Sequence, residues 1–324
     1  MTQPAARDGA GSLFLGIDGG GSKTLAVIVD AQGQERGRAQ AASSNYQAVG
    51  IEAALAALHA AAEQAARVAG GALPVRAAWL GLAGVDRPAD QRLLLPRLHA
   101  LAGSIRLTND AELLLSALDD AVGVALVAGT GSIALGRNAR GAAARAGGWG
   151  HILGDEGSGY DIGRQALQAA TRAADGRGEA TALLEQITRA WGLERPDDMI
   201  GRVYNNDDDK ALIARLAPLV LRAARDGDHA ARQIARRAAD ELALAALAVC
   251  KSLDFSGGRV GLALGGGLLL NETALRGQVL RRIRRRQPLG RVALVEQPAL
   301  SGARASRSFT LYGGTRACLT TPLT

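Results

Sequence analysis

The chain has 324 residues, which is more than one hydrophobic core usually serves, so its length predicts two domains with a cleft between them. Two cysteines, Cys250 and Cys318, are too few for a disulfide scaffold or a cysteine-based zinc site. Because the first residues are polar and no run of about 18 apolar residues predicts a membrane span, we expect a cytoplasmic protein.

The net charge of +7 comes almost wholly from arginine, since only three of the 38 basic residues are lysines: Lys23, Lys210 and Lys251. The densest basic run spans residues 281–286 and has no aromatic side chains between its arginines. A nucleic-acid interface usually combines clustered basic residues with aromatic side chains. Because the aromatic side chains are missing here, we interpret this run as a solvated helix face. We therefore expect neither nucleic acid nor a membrane as a partner.

The chain is predicted to begin with a meander of three strands. Residues 13–18 and 24–30 are short apolar runs joined by the turn GGGSK, and a third strand-like stretch follows the turn at Gln32-Gly33. Alternation of helices and strands comes next. Helical spacing is found over 48–69, 88–102 and 110–118, with strands over 75–82 and 104–108.

The same arrangement begins again at Val122, where the strand GVALVAG, the turn TGS and the strand IALG repeat the opening pattern. This predicts an internal duplication with a joint at Asp119-Asp120, which gives domains of 1–118 and 119–324. The tail 301–324 has no period and is predicted to be irregular. The remaining predictions are helices over 160–174, 179–191, 211–226, 228–253 and 271–286, and strands over 259–264 and 291–295.

The first turn that carries chemistry is the stretch from Asp18 to Thr24, where a strand ends in an acid, three glycines and hydroxyl groups. Consecutive glycines can present backbone N–H groups to an anion, and Ser22, Lys23 and Thr24 can add donors to a phosphate. A P-loop and a dinucleotide fingerprint both need a helix after the glycines, whereas LAVIVD continues as a strand. A glycine-rich hairpin without a ligand is the alternative.

A second turn of this kind makes phosphate binding the leading interpretation. Gly129, Thr130, Gly131 and Ser132 also lie between two predicted strands, and the pair of turns could hold a polyphosphate from both domains. A third cluster, Gly265 to Gly267, follows a strand and would let the backbone approach a base or ribose. Tight packing of strand against helix explains this third cluster equally well.

Two aspartates are candidates for the reaction itself. Asp110 follows a short strand in LTNDA and could simply cap the next helix. Phosphoryl transfer to a hydroxyl, however, needs a carboxylate to accept the proton and Mg²⁺ to offset charge. We therefore predict Asp110 as the base and Asp18 as a ligand of Mg²⁺ through water.

The segment GGWGHILGDEGSG, residues 147–159, holds six glycines, which a core does not need. We interpret it as a substrate loop. Trp149 can stack on the face of a sugar, and Asp155 can accept hydrogen bonds from hydroxyls or lie in the first turn of a helix. His151 is predicted to be structural.

Six motifs together resemble the N-acetylglucosamine kinase group within the BadF/BadG/BcrA/BcrD ATPases, over residues 13–298. They are IDGGGSKT, SSNYQAVG, LTNDA, VAGTGSI, GGWGHILGDEGSGYDIG and LGGGLL. The resemblance implies an α/β fold of two ribonuclease-H-like, actin-like ATPase domains that close over ATP and sugar. A homodimer is expected.

The resemblance also implies roles for individual residues. Asp110 matches the catalytic base. Residues 81–86 match a loop that lines the sugar, with Ala83 where some relatives have serine. Asn45, Gly148, Trp149 and Asp155 match sugar-contacting positions. The ATP-binding positions are Asp18, Gly19, Gly20, Gly21, Ser22, Lys23, Thr24, Gly129, Thr130, Gly131, Ser132, Gly265, Gly266 and Gly267.

The predicted function is phosphorylation of N-acetylglucosamine by ATP, at the 6-hydroxyl. Glucosamine and N-acetylmuramic acid are alternative substrates. An ATPase module that lacks a sugar acceptor is a further alternative, but Cys250 and Cys318 do not have the setting of the shared iron–sulfur cluster in that branch. A sugar-sensing regulator is disfavoured because no helix-turn-helix segment precedes Leu13. The tail departs from the family, which usually ends in a helix, because SFTLYGG does not have helical character.

Overall fold

The computed structural model describes residues 12–85, 87–205, 209–255 and 258–310, and the chain divides into two compact units. The described part of the first unit runs to Val122 and also contains Ala139–Ala143 and the residues from Gln297 onward. The second unit contains Gly123–Asn138 and Ala144–Glu296. The predicted joint at Asp119-Asp120 lies close to Val122, but the predicted second domain, 119–324, also took in Ala139–Ala143 and the residues from Gln297 onward, which belong to the first unit.

The elements of the first unit, in chain order up to Val122, begin with three strands. They are β1 (Phe14–Gly19), β2 (Thr24–Val29), β3 (Glu35–Ala41), α1 (Tyr46–Val49), α2 (Ile51–Val68), β4 (Ala77–Leu82), α3 (Pro88–Leu94) and β5 (Ile105–Thr108). Short 3₁₀ helices span Leu95–Arg97, Ala111–Ala117 and Asp119–Ala121.

The elements that follow Val122 begin with another three strands. They are β6 (Gly123–Ala128), β7 (Ser132–Arg137), β8 (Ala143–Gly147), α4 (Gly159–Ala174), α5 (Ala182–Trp191), α6 (Asp198–Tyr204), α7 (Asp209–Ala214), α8 (Ala217–Asp226), α9 (His229–Ser252), β9 (Val260–Gly265), α10 (Gly267–Asn271), α11 (Thr273–Arg284), β10 (Leu289–Leu294) and α12 (Pro298–Ser306). A 3₁₀ helix spans Arg307–Thr310.

The two sheets have corresponding strand orders. The first is β3-β2-β1-β4-β5 and the second is β10-β9-β6-β7-β8. In the first sheet β1 pairs antiparallel with β2 and parallel with β4. In the second sheet β6 pairs antiparallel with β7 and parallel with β9. The duplication predicted from the sequence is therefore present, and the α/β class is confirmed.

The core of the first unit lies on both faces of its sheet. Ile17 and Leu15 of β1 pack in one cluster with the alanine- and leucine-rich face of α2. On the other face Phe14 packs with Ala299 and Ala303 of α12. Strand β1 is buried along nearly its whole length because a central strand between two helical layers exposes neither face.

Helix α12 corrects the prediction that the tail from residue 301 is irregular. A side chain at Gly16 would place its Cβ 1.9 Å from the Ala299 carbonyl oxygen, so the helix backbone lies directly on β1. The contact needs small residues on both sides, and Ala299, Gly302, Ala303 and Ser306 are buried. Their helical spacing was hidden because small and polar residues carry no strong apolar signal. Residues 311–324 lie outside the described residues.

The second unit is built around the long helix α9. Its Ala235, Ala238 and Leu242 belong to a large buried cluster that includes Leu126 of β6 and Ile162 of α4. The helix predicted over 211–226 is two helices, α7 and α8, with a proline in the first turn of α8. Proline has no N–H to continue the preceding helix, which accounts for the break. The prediction did not include β8 and α6.

No helix in the described residues is long and apolar enough to span a lipid bilayer.

Candidate active site

The carboxyl ends of β1, β4 and β5 bring the two predicted acids together. These strands are parallel, and Asp18, Gly81 and Thr108 occupy the same register position. Asp110 follows Thr108 by two residues and lies beyond the same edge of the sheet. At Gly81 a Cβ would come within 3.2 Å of the Cα of Asp110, so glycine is needed for this close approach.

Asp110 is half-buried and caps the 3₁₀ helix Ala111–Ala117. Its Oδ1 accepts a hydrogen bond from the N–H of Ala111 at 2.8 Å, and Oδ1 of Asn109 accepts from the same N–H at 2.8 Å. The capping role considered from the sequence is therefore present. A capping bond fixes the direction of the carboxylate and does not prevent it from accepting a proton.

Asp18 has an unusual electrostatic environment. Burial and, to a smaller extent, the negative charge of Asp110 raise the pKa of its carboxyl to about 6, although Lys23 acts in the opposite direction. Two carboxylates so placed attract a cation.

The residues fit a Mg²⁺ ion that keeps most of its water. The part of the chain described by the structure contains no group of three or more His, Cys, Asp or Glu side chains that could hold a metal. Mg²⁺ at phosphate-transfer sites is usually bound by one or two carboxylates together with water and phosphate oxygens. Asp18, with Asp110 beside it, supplies that kind of donor set.

The first glycine turn joins β1 to β2 and is exposed at its tip. The N–H of Gly20 donates to the Lys23 carbonyl at 2.9 Å, while Gly21, Ser22 and Lys23 are exposed. In the described residues the N–H groups of Gly21 and Ser22 have no acceptor within the chain. These donors are available to an anion.

Thr24 supports this turn from its buried side. It is fully buried, and its hydroxyl donates to the Ala42 carbonyl at 2.7 Å. Its one hydroxyl proton is thus used inside the protein, which differs from its predicted role as a phosphate donor. Gly19 is required for packing, because a Cβ there would lie 2.3 Å from Oγ of Ser44.

The second glycine turn joins β6 to β7 and is more tightly supported. The N–H of Gly159, at the start of α4, donates to the Gly129 carbonyl at 2.7 Å. The buried hydroxyl of Ser132 donates to the Glu156 carbonyl at 2.8 Å. The N–H groups of Thr130 and Gly131 have no acceptor among the described residues of the chain. These two N–H groups are available to an anion.

Asp155 lies beneath this second turn. It is 4% exposed, its Oδ1 accepts from the N–H of Ser132 at 3.0 Å, and its Oδ2 accepts from Nζ of Lys210 at 3.0 Å. A Cβ at Gly131 would come within 2.8 Å of Oδ1, so the carboxylate lies against the backbone of the turn. The structure therefore gives Asp155 a supporting role, and its contact with a sugar stays a prediction.

The third glycine cluster packs on the end of β6. Gly266 has a φ of +82°, and a Cβ there would lie 2.4 Å from the Ala128 carbonyl oxygen. This is the strand-against-helix packing considered from the sequence. Gly265 is buried at the end of β9, and Gly267 is exposed at the start of α10. Gly266 is half-buried, and contact of this cluster with adenosine stays a prediction.

The predicted sugar segment in the second unit presents its aromatic residue to solvent. Trp149 is 63% exposed, and the guanidinium of Arg145 lies 4.9 Å from its ring centre. Gly148 has a φ of +72°, and a Cβ there would clash with Ile133. His151 packs against the ring of Tyr160 at 5.1 Å, in agreement with its predicted structural role.

Asn45 lies in the first unit at the start of α1. Its Oδ1 accepts from the N–H of Gln47 at 3.2 Å, and a Cβ at Gly84 would come within 2.7 Å of this oxygen. The loop after β4 is tied to β1 because the N–H of Ala83 donates to the Gly19 carbonyl at 2.7 Å. Asn45 and part of the predicted sugar-lining loop are thus adjacent, while Asp86 lies outside the described residues.

Sequence reasoning missed Lys210, whose ammonium group pairs with Asp155. The scarcity of lysine in the chain was the signal that could have identified it.

Comparison with known proteins gives a consistent result. The profile of the BadF/BadG/BcrA/BcrD ATPase family matches residues 15–289. The chain is 40% identical over 195 residues to an N-acetylmuramic acid/N-acetylglucosamine kinase of Clostridium acetobutylicum, which covers 59% of this chain and 64% of that protein. The aligned part therefore spans less than two thirds of that relative.

Two further relatives extend the coverage. An N-acetyl-D-glucosamine kinase of Dictyostelium discoideum is 35% identical over 244 residues, which is 71% of this chain and 76% of that protein. A crystal structure of a candidate N-acetylglucosamine kinase from Chromobacterium violaceum aligns with a TM-score of 0.68 and 29% identity, over 93% of this chain and 98% of that one.

Proposed function

Because the chain belongs to the BadF/BadG/BcrA/BcrD ATPase family, we propose that it is a kinase that transfers the γ-phosphate of ATP to an amino sugar, with N-acetylglucosamine as the preferred acceptor. The observation that carries the proposal is the pair of acids, Asp18 and Asp110, at the carboxyl edge of the first sheet. Support also comes from the relatives, whose names include N-acetylglucosamine and N-acetylmuramic acid kinases.

Asp110 acts as the general base in this proposal. It accepts the proton of the sugar hydroxyl, the hydroxyl oxygen forms a bond to the γ-phosphorus, and the bond to the bridging oxygen breaks so that ADP leaves. The hydrogen bond from the Ala111 N–H holds the carboxylate in one direction, which lowers the cost of orienting it at the moment of transfer.

Asp18 is the residue that would hold Mg²⁺, through water, and the bound ion would supply positive charge to offset that of the phosphate oxygens. A carboxyl whose pKa is raised to about 6 by burial and by Asp110 gains most from a nearby cation, because the cation favours its ionised form.

Backbone N–H groups are the proposed donors to the phosphates of ATP. In the first unit these are the donors of Gly21 and Ser22, with Lys23 beside them. In the second unit they are the donors of Thr130 and Gly131. At Gly21 and Gly131 the absence of a side chain leaves the backbone open to a phosphate, which accounts for these two glycines.

Trp149 and Asn45 are the proposed sugar contacts. The exposed ring of Trp149 offers an apolar face to the C–H groups of a sugar, and the amide of Asn45 can bond to hydroxyls. We assign transfer to the 6-hydroxyl, as the primary and least crowded hydroxyl of the sugar. The predicted cytoplasmic location and homodimer stay predictions, which cell fractionation and light scattering would check.

A panel of acceptors tests the proposal. The purified protein with ATP and Mg²⁺ is given N-acetylglucosamine, glucosamine, N-acetylmannosamine, N-acetylmuramic acid or glucose, and ADP release is followed. The expected result is the highest kcat/KM with N-acetylglucosamine. Equal ADP release with and without every sugar would contradict the proposal and favour an ATPase without a sugar acceptor.

A further inference from the structure

Lysine is rare in this chain, and two of its three lysines lie at the glycine turns. Lys23 belongs to the first turn, and Lys210 of α7 pairs with Asp155 beneath the second turn. The third, Lys251, is exposed in the last turn of α9. Lysine and arginine are not interchangeable at a site where a buried carboxylate is contacted, so Lys210 is the lysine whose identity can matter here.

The carboxylate that Lys210 contacts, that of Asp155, is buried next to the second glycine turn. Asp155 is 4% exposed and lies against the backbone of Gly131, within the turn proposed to bind a phosphate. An uncompensated negative charge there would be costly to bury and would repel the phosphate. The structure supplies two compensating contacts, the N–H of Ser132 on Oδ1 and the ammonium of Lys210 on Oδ2.

We propose that Lys210 is a positioning residue for phosphate binding. Its ammonium neutralises Asp155 and keeps the carboxylate on the Ser132 N–H, so that the second turn presents its free N–H groups to a phosphate without an opposing charge. This inference rests on the proposed function, in which the second turn binds a phosphate of ATP.

The chemistry of the contact explains the choice of lysine. An ammonium is a compact charge that can donate to Oδ2 alone. A guanidinium prefers to grip both carboxylate oxygens, and Oδ1 is already bonded to the Ser132 N–H. Helix α7 is packed closely on α4, because a Cβ at Gly163 of α4 would lie 2.1 Å from the Ile213 carbonyl oxygen of α7. The helix therefore cannot easily shift to make space for a guanidinium at position 210.

Nucleotide binding measured without turnover tests this role. The affinity of the non-hydrolysable analogue AMPPNP, with Mg²⁺, is determined by calorimetry for the wild type, Lys210→Met, and the double variant Lys210→Met/Asp155→Asn. Lys251→Met is the matched control, because it removes the same charge from an exposed position. Thermal unfolding of each variant is recorded alongside.

We expect Lys210→Met to weaken AMPPNP binding at least about tenfold, as an unscreened charge near a phosphate would. The double variant should recover to within about threefold of the wild type, because the opposing charge is gone, and Lys251→Met should change affinity less than about twofold. A purely structural role would predict that the double variant binds as weakly as the single one.

Unchanged affinity in Lys210→Met, or no recovery in the double variant, would overturn the inference while leaving the proposed kinase intact. A wild type that fails to bind AMPPNP would instead contradict the proposed function. If Lys210→Met does not fold, Lys210→Arg replaces it, with a several-fold loss of affinity expected against an unchanged Lys251→Arg. Equal affinities of those two arginine variants would overturn the inference.

Discussion

The two glycine turns occupy the same place in their sheets but have different surroundings. Each lies between the central strand and its antiparallel neighbour, and in each a buried hydroxyl, of Thr24 or Ser132, donates to a backbone carbonyl. The first turn is exposed, and of the acids near it Asp18 lies in β1 and Asp110 follows β5. The second turn rests on its own acid, Asp155.

In the proposed function, the two copies of the duplicated framework have different roles. The backbone template that offers N–H groups to an anion is kept in both sheets. In the proposed function, strand ends around the first turn supply the charges for phosphate transfer. Beneath the second turn the carboxylate of Asp155 is paired with Lys210, so we propose that this turn serves binding alone.

The largest expected effect is on kcat, and it distinguishes the proposed base, Asp110, from the supporting acid, Asp155. Asp110→Asn should lower kcat by at least about 10²-fold while sugar and ATP still bind, because the amide cannot accept the proton. Steady-state kinetics and calorimetry measure the two effects. Asp226→Asn, at an exposed position of α8, is the control. Near-normal turnover of Asp110→Asn would remove this residue from the mechanism.

Matched glycine substitutions compare the turns directly. At Gly131 a Cβ would lie 2.8 Å from Asp155 Oδ1, whereas at Gly21 no atom lies within 4 Å. Gly131→Ala should therefore lower the free energy of unfolding by about 1–3 kcal/mol, and Gly21→Ala should change it by less than about 0.5 kcal/mol. Chemical denaturation measures both. Equal effects would show that the second turn is not more tightly packed than the first.

The substrate segment beside β8 provides a test of sugar binding. Trp149→Ala should raise the sugar KM about tenfold and change the ATP KM less than about twofold, because in the proposed site the ring contacts the sugar and not the nucleotide. Tyr204→Ala removes another exposed aromatic ring as a control, since Tyr204 is 82% exposed. A loss of thermal stability with unchanged sugar KM would assign Trp149 to packing instead.

The smallest effect tests the acid pair in the absence of metal. Burial and the charge of Asp110 raise the pKa of Asp18 from 3.8 to about 6, so ionisation of this carboxyl destabilises the fold progressively between these two pH values and fully above about 6. Asp18→Asn should raise the melting temperature by several degrees at about pH 8, and this gain should shrink as the pH falls towards about 4. Differential scanning calorimetry in a chelating buffer measures it.

A pH-independent difference between Asp18→Asn and the wild type would contradict this account of the acid pair. Added Mg²⁺ supplies the opposite check, because a cation that favours the ionised carboxylate should reduce the gain at about pH 8.

Much of the fold could be predicted because its signals are local. The strands β1, β2, β6 and β7 are short apolar runs interrupted by glycines, and this pattern gave both the turns and the duplication. Helix α12 could not be predicted, because it is defined by a close contact with Gly16 far away in the sequence.

The site was predictable in its outline and less so in its contacts. The positions of Asp18 and Asp110 followed from strand ends, which sequence patterns locate well. The buried hydroxyl of Thr24 and the pairing of Asp155 with Lys210 depend on tertiary contacts. A motif names the residues of a loop but does not specify which side chains face inward.

Identification of the product is the most direct test of phosphate transfer from ATP to a sugar. The protein is incubated with ATP, Mg²⁺ and N-acetylglucosamine, and the products are analysed by ³¹P NMR. We expect N-acetylglucosamine 6-phosphate, formed in equal amount to ADP. Formation of ADP and inorganic phosphate without any sugar phosphate would contradict the proposed transfer.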